Sequence, residues 1–490
     1  MTNSNPLNKK WTIFIIAQVV DENTQVEKMT TDFEYKDFMQ KIQKNSKKAK
    51  NLKFNILEFH QSTNTCIIKK SALRLQNNKT LKGMDFYKPK TITDFFKNAI
   101  ADETNTKEER HHMVILWGHG SGFNFFHQHD KNNEQKNGRN FSGTKTGNYI
   151  INEDDDISYK SQQRKVNLRN VLINQHIANL SFGKGLFQRT SSENIKLSNK
   201  LTKRLDKLYT AEQLAKILNA TGKKVDVLIA NSCWMNTIET TVALKDKVKI
   251  YAAPQTIVPF AGIDYDRLFT ALDKNPGMTK RELAENLTNN YIAKYTDDSS
   301  FAKKFKRNRS YIDAGELSLS VIHLDKIEKE YPFDEILNCI NDLGNHLSKQ
   351  LQNAVIKDYY QERIDIARSF CGDFTHQGNY IDFTNFFCEL IKSFQGSDPG
   401  LLKDIYKRFF LAKNKTLLSI VNPGKLFNFM PDFFYSQSPQ MFSIYFPPRT
   451  GRSELQNKFI SKGYFGKNKF SEKCTGWIQF LSTYLNILPE

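Results

Sequence analysis

The chain has 490 residues, of which 71 are Lys or Arg and 52 are Asp or Glu, giving a formal net charge of +19. That length buries a large core and leaves room for two or more domains or one elaborated domain, and a hydrophobic content of 39% is ordinary. The positive balance makes nucleic acid or an anionic surface a candidate partner, yet the basic residues are spread among many acidic ones and no nucleic-acid motif accompanies them, so a solvated Lys- and Asn-rich surface is the better reading.

Trp11 to Gln18 reads as a buried strand, and Gln25 to Ile42 carries mixed helical periodicity with a Lys-rich exposed side. Leu52 to Glu58 is the next strand, and Thr65 to Leu75 alternates well enough to pair antiparallel at a sheet edge. Thr91 to Ile100 is an amphipathic helix with a Thr cap. It leads into His111-His-Met-Val-Ile-Leu-Trp-Gly-His-Gly-Ser-Gly122, a buried strand that delivers His119 into a glycine-rich turn. Such βαβ units imply a mostly parallel sheet.

Residues 128–205 are rich in Lys, Asn, Gln, Ser and Gly with few apolar runs, the composition of a mobile loop. Asn152-Glu-Asp-Asp-Asp-Ile157 is an acidic cluster without the Asp-x-Asp-x-Asp-Gly order of an EF-hand, so a solvated turn is the simpler reading. Tyr209 to Leu218 is a capped helix that feeds Val225-Asp-Val-Leu-Ile-Ala-Asn-Ser-Cys-Trp-Met235, an apolar β-branched run ending in small polar residues and a cysteine. Helical spacing resumes at Thr237. Val248 to Ala253 is another strand, and Pro254 to Asp264 is a Pro/Gly-punctuated loop at the same sheet edge, placed to wall a pocket. Leu317 to Leu324 is a strand, Pro332 to Phe394 is helical with its cysteines on apolar faces, and the tail from Met441 holds a strand, a basic loop and a closing helix.

The six cysteines, at positions 66, 233, 339, 371, 388 and 474, show no close pair spacing, which argues against a zinc knuckle or a dense disulfide framework. No apolar run approaches the length of a membrane span and no apolar stretch precedes Trp11, so the expectation is a cytoplasmic protein, secreted only if a leader has been removed. Cys233 stands at the carboxyl end of a buried parallel strand, where open α/β sheets place their chemistry. A thiolate is the nucleophile, an imidazole such as His119 can lower the thiol's pKa or protonate a leaving amine, and a helix starting just after Cys233 would add backbone N–H groups. The plainer alternatives are a small buried hydrophobe at Cys233 and a tight turn at Gly-His-Gly.

Trp117-Gly-His-Gly-Ser-Gly122 and Asn231-Ser-Cys-Trp-Met235 resemble the histidine and cysteine motifs of the clostripain family of cysteine peptidases, relatives of caspases, gingipains and legumain. Trp11 to Ala17 is similar to the family's first strand, Ile238 to Val242 to its post-cysteine helix, and Phe442 to Pro447 with Gly476 to Leu481 to its C-terminal signature. The resemblance implies an α/β fold: a caspase-like three-layer sandwich with a mostly parallel central sheet, a long insertion and a helical C-terminal elaboration. The peptidase core would span 1–330, and a mainly helical region, 331–490, would pack on it and return a strand near 441–447.

The resemblance further implies a cysteine endopeptidase acting on protein or peptide substrates, with Cys233 as nucleophile, His119 assisting it, and the backbone N–H groups of Gly120 and Cys233 holding the oxyanion. Asn231, Ser232 and Asp264 are the candidate substrate-pocket residues. The family pattern has an Asp two residues before the cysteine to receive an Arg or Lys side chain; here that position is Asn231, so a basic preference would need Asp264 to supply the charge. Far more chain separates His119 from Cys233 than the roughly 50 residues of caspases, and activating cleavage inside that insertion is expected by resemblance. No cofactor is required for this chemistry, although the family makes calcium a possibility. The alternative function is a catalytically silent caspase-like scaffold or regulatory protein that binds an anionic partner. The sequence leaves the oligomeric state open.

Overall fold

The computed structural model describes residues 10–19, 35–60, 65–70, 79–81, 85–104, 109–118, 124–125, 209–256, 258, 262–295, 317–327, 330–371, 379–394, 400–421, 440–449, 452, 457 and 459–488. The insertion expected at 128–205 and the acidic cluster at 152–157 lie outside them.

The central strands are continuous apolar runs because both of their faces are covered. β1 (Lys10–Val19), β2 (Leu52–His60), β3 (Thr65–Lys70), β4 (Lys79–Leu81), β5 (Arg110–Trp117), β8 (Val225–Asn231), β9 (Val248–Ala253), β10 (Leu319–His323) and β12 (Leu417–Val421) form one nine-stranded sheet in the order β12-β10-β9-β8-β5-β1-β2-β3-β4. The short pairs β6 (Asn124–Phe125) with β7 (Tyr209–Thr210), and β11 (Tyr380–Asp382) with β13 (Ser443–Tyr445), stand apart from it. The inner pairs β2/β1, β1/β5, β5/β8 and β8/β9 are parallel, and the outer pairs are antiparallel. The mostly parallel sheet expected from the sequence is what the chain builds.

Alternation along the strands divides the core into two layers. On one face Ile13, Ile15, Met113, Ile115, Val227 and Ile229 are buried against α1 (Lys36–Lys48), α5 (Tyr265–Lys274) and α6 (Lys280–Tyr295). On the other face Phe14, Ile16, Val114, Leu116 and Leu228 meet α2 (Pro89–Thr104), α3 (Ala211–Leu218) and α4 (Ile238–Leu244). This second layer continues without a break into α7 (Pro332–Gln352), α9 (Phe383–Ser393), α10 (Gly400–Thr416) and α12 (Thr475–Leu485), where Trp477 is fully buried among Phe383, Phe386 and Phe446. α8 (Lys357–Ser369) and α11 (Lys469–Lys473) complete the helices.

α7 and α12 approach closely because glycines face each other: a β-carbon on Gly344 would stand 2.3 Å from the Gly476 carbonyl carbon. This is a physical reason for the glycine that opens the C-terminal signature.

Several boundaries differ from expectation. α1 runs on to Lys48, carried past Ile42 by contacts with α5 such as Asn45 Nδ2 to Asp266 Oδ1 at 2.8 Å. Thr91 is not a cap: α2 starts at Pro89, and the Thr91 hydroxyl donates to Asp85 O at 2.7 Å. The strand of the tail pairs with β11, and the edge of the central sheet is taken by β12. No described helix is long and apolar enough to cross a membrane.

Candidate active site

β5 and β8 lie side by side in parallel register, with Trp117 opposite Asn231, so both strands end at one sheet edge. Gly118 N donates to Asn231 O at 3.4 Å, which brings the chain one residue before His119 alongside the residue two before Cys233. His119 and Gly120 themselves lie outside the described residues.

Beyond Asn231 the chain leaves the sheet in a sharp turn, with Trp234 in the left-handed region at φ 56. That turn is laid along the segment after β9. Trp234 N donates to Thr256 O at 3.0 Å, Asn236 N to Pro254 O at 2.9 Å, and the Tyr251 hydroxyl to Met235 O at 2.7 Å. Cys233 is half-buried, and its Sγ accepts from Val258 N at 3.4 Å. Burial pushes its thiol up to about 11, and the Val258 N–H offsets this only in part. The expected help from a helix terminus is absent for a geometric reason. α4 begins only at Ile238, past the cysteine turn, and is capped by Thr237, whose side chain accepts from Thr240 N at 3.1 Å. The described surroundings thus favour the thiol over the thiolate.

The other five cysteines are free thiols with core roles: Cys66, Cys339, Cys371 and Cys474 are buried, and half-buried Cys388 donates to the Tyr406 hydroxyl at 3.0 Å.

The Asn231 side chain lies under Gly262, where a β-carbon would stand 1.8 Å from Asn231 Oδ1. Gly262 has φ 53, so this position needs glycine twice over, for its backbone and for the contact. α6 fixes that backbone: Tyr295 Oη donates to Gly262 O at 3.0 Å and Lys294 Nζ to Ile263 O at 3.2 Å. Ser232 is fully buried, and its hydroxyl has no hydrogen-bond partner among the described residues. Asp264 is committed elsewhere. It caps α5 by accepting from Arg267 N at 3.3 Å, and it pairs with Arg267 Nε at 3.5 Å. The loop expected to wall a pocket thus contributes through Val258 and Gly262, which side-chain chemistry alone could not single out. Tyr291, on α6, was also missed. Its buried hydroxyl has no hydrogen-bond partner among the described residues, and it lies near enough to Cys233 for thiolate charge to act on it.

Among the described residues no group of three or more His, Cys, Asp or Glu side chains is placed to hold a metal ion.

A cysteine just past the carboxyl end of a central parallel strand, flanked by a loop from the next strand, stands where open α/β sheets place their chemistry. The clostripain family model matches residues 197–445, about half of the chain, and the protein belongs to that family: it is a cysteine peptidase. The match includes Cys233 and the tail strand and begins after His119. No curated protein sequence matches the chain. Among solved structures it is similar to a secreted C11 cysteine protease from Bacteroides thetaiotaomicron bound to an irreversible peptide inhibitor, at 12% identity and TM-score 0.49, over 95% of this chain and 99% of that one. It is also similar to an inactive zymogen C11 protease from Parabacteroides distasonis, at 12% identity and TM-score 0.49, over 95% and 98% of the two chains. The expectation of a cytoplasmic protein is corrected by this comparison, in which the similar proteases include secreted ones.

Proposed function

We propose that this peptidase is an endopeptidase that cuts through a dyad of Cys233 and His119. The observation that carries the reading is the β5/β8 register, which ends the histidine-bearing and cysteine-bearing strands at one edge. Cys233 Sγ attacks the scissile carbonyl carbon as its proton passes to the imidazole of His119, and the N–H groups of Gly120 and Cys233 receive the oxyanion. His119 then protonates the leaving amine, and water hydrolyses the thioester. A thiol held as high as about 11 fits a base that acts during attack better than a resting ion pair.

The pocket beside Cys233 is neutral. Of the residues expected to receive the substrate side chain, Asn231 is buried under Gly262 and Ser232 is buried, both uncharged, and the Asp264 carboxylate is paired with Arg267. A substrate Arg or Lys would find no desolvated ion pair there, so neutral polar or acidic side chains are the favoured class. Activation is by self-cleavage between residues 158 and 207, a polar stretch, at a neutral or acidic side chain rather than after its basic residues Lys160, Arg164, Lys165, Arg169, Lys184, Arg189, Lys203 and Arg204.

Intact-mass measurement and labelling with an electrophilic peptide test the reading. Wild type should yield two fragments and a label on Cys233, while Cys233→Ala should stay one chain, unlabelled and inactive. Retained peptidase activity in Cys233→Ala removes it from the nucleophile role, and a fully active, uncut wild type removes the activation step.

A further inference from the structure

The segment after β9 touches the cysteine turn with alternate residues: Pro254 O, Thr256 O and Val258 N meet Asn236 N, Trp234 N and Cys233 Sγ. The residue between the first two of these, Gln255, is almost fully buried and turns the other way. Its Oε1 accepts from Met441 N at 2.9 Å, and its Nε2 donates to Asp382 Oδ2 at 3.0 Å and to Ser443 Oγ at 3.3 Å. Asp382 is itself fixed, accepting from Gln440 N at 2.8 Å and from Asn385 N at 2.8 Å as the cap of α9. A second tie runs parallel to the first, because Asn236 Nδ2 donates to Met441 O, and Ser443 N donates to Asn236 O at 3.0 Å. Ser318 Oγ holds the same segment from below, accepting from Gln255 N and Thr256 N at 2.9 Å each.

A buried carboxamide with its acceptor and both donors engaged is a costly arrangement to disturb, and it joins the loop that contacts Sγ to chain that lies well over a hundred residues later. We propose that Gln255 is a positioning residue for the nucleophile, locking Pro254, Thr256 and Val258 and through them the Cys233 turn onto Asp382 and Met441 of the C-terminal region. The proposal rests on the assignment of Cys233 as nucleophile. Because the backbone at 256 and 258 sets where Sγ stands, release of Gln255 displaces the thiol from the line of attack, and misplacement on the order of 1 Å costs about a hundredfold in rate.

The variant Gln255→Glu keeps the shape and the acceptor for Met441 N, but sets a carboxylate oxygen against Asp382 Oδ2. The titratable groups acting on Asp382 include the buried Lys413 ammonium, the Cys371 and Cys388 thiols and the Tyr406 hydroxyl. At alkaline pH the two carboxylates repel and the lock opens; on acidification one shared proton restores a hydrogen bond. On a fluorogenic peptide chosen from a casein digest, kcat should fall about thirtyfold at pH 8 with KM within about threefold, and the deficit should shrink at least about fivefold at pH 5.5. A folded Gln255→Glu chain with kcat within about twofold of wild type at both pH values overturns the proposal, as does a deficit that is the same at both. If that variant does not fold, Asn236→Ala removes the companion tie: a kcat loss of about fivefold or more at unchanged KM supports the lock, and wild-type kcat overturns it. Failure of the underlying reading is distinguishable, since it appears as cleavage that persists in Cys233→Ala.

Discussion

Glu239 lies in the first turn of α4, beneath the tail strand, and carries the clearest pH signature in the structure. It is buried, and one carboxylate oxygen accepts from Tyr445 N and from the Tyr464 hydroxyl, each at 2.8 Å. The other oxygen has no hydrogen-bond partner among the described residues. Burial pushes its pKa from the ordinary 4.5 up to about 7, against the pull of those hydrogen bonds. The folded chain therefore holds this proton more tightly than the unfolded chain does. Below about pH 4.5 both states are protonated, and the residue makes no pH-dependent difference. From there to about pH 7 the unfolded state loses its proton first, and stability falls by roughly 1.4 kcal/mol per pH unit, about 3 kcal/mol in all.

Glu239→Gln keeps the acceptor and cannot ionise. It should match wild type at pH 4.5 and exceed it by about 3 kcal/mol at pH 8. With an unfolding entropy of roughly 2.1 cal/mol/K per residue, 490 residues give about 1 kcal/mol/K, so the gain reads as about 3 °C in Tm. Thermal melts of the full chain from pH 4.5 to 8 measure this. A Tm difference between variant and wild type that is the same at both ends of the range refutes the reasoning, because it would mean that Glu239 is ionised or solvated in the folded state.

Gly344→Ala should destabilise the chain by about 2 kcal/mol although alanine favours a helix by about 1 kcal/mol, since its methyl would meet the Gly476 backbone at 2.3 Å; a melt that is unchanged or higher contradicts the close approach. Alkylation of Cys233 by iodoacetamide should accelerate about tenfold per pH unit from pH 7 to 10, as a thiol near 11 requires, whereas a plateau between pH 6 and 8 would reveal a resting thiolate. Asn231→Asp should raise kcat/KM for substrates with Arg or Lys before the scissile bond by about tenfold or more over neutral ones, and an unchanged preference profile would place the pocket elsewhere.

The central strands were legible because burial on both faces leaves a continuous apolar signature, as in Val225 to Ala230, and the cysteine's place at the strand end followed from it. Helix edges were less legible, since tertiary contacts overrode the local signal at Thr91 and beyond Ile42. β12 carries too short a pattern to announce itself, and it is an edge strand only because β10 lies beside it. Gln255 was invisible for a stronger reason. Its partners are Asp382, Met441 and Ser443, and no local periodicity reports a carboxamide whose contacts lie that far along the chain. Asn231 was readable as a departure from a motif, but its cover by Gly262 depends on a positive φ that sequence gives only as a glycine.

In the proposed reading, pocket and nucleophile share one strand end, and this constrains both. Asn231 lies on the sheet face that packs against α5 and α6, and Cys233 packs against the same layer of the core. A carboxylate at 231 would attract a basic substrate side chain, yet it would also place a negative charge two residues from a thiol that burial already holds near 11, making thiolate formation harder still until the substrate's cation neutralised it. In an enzyme with Asp there, substrate binding and thiol activation are therefore coupled through charge. With Asn231 that coupling is gone, and readiness to react depends on how the turn is held: by Pro254, Thr256 and Val258 on one side, and through Gln255 and Asn236 by the C-terminal region on the other. A neutral pocket and a tightly tethered cysteine turn are, on this argument, two parts of one solution, in which geometry replaces charge as the means of keeping the nucleophile ready.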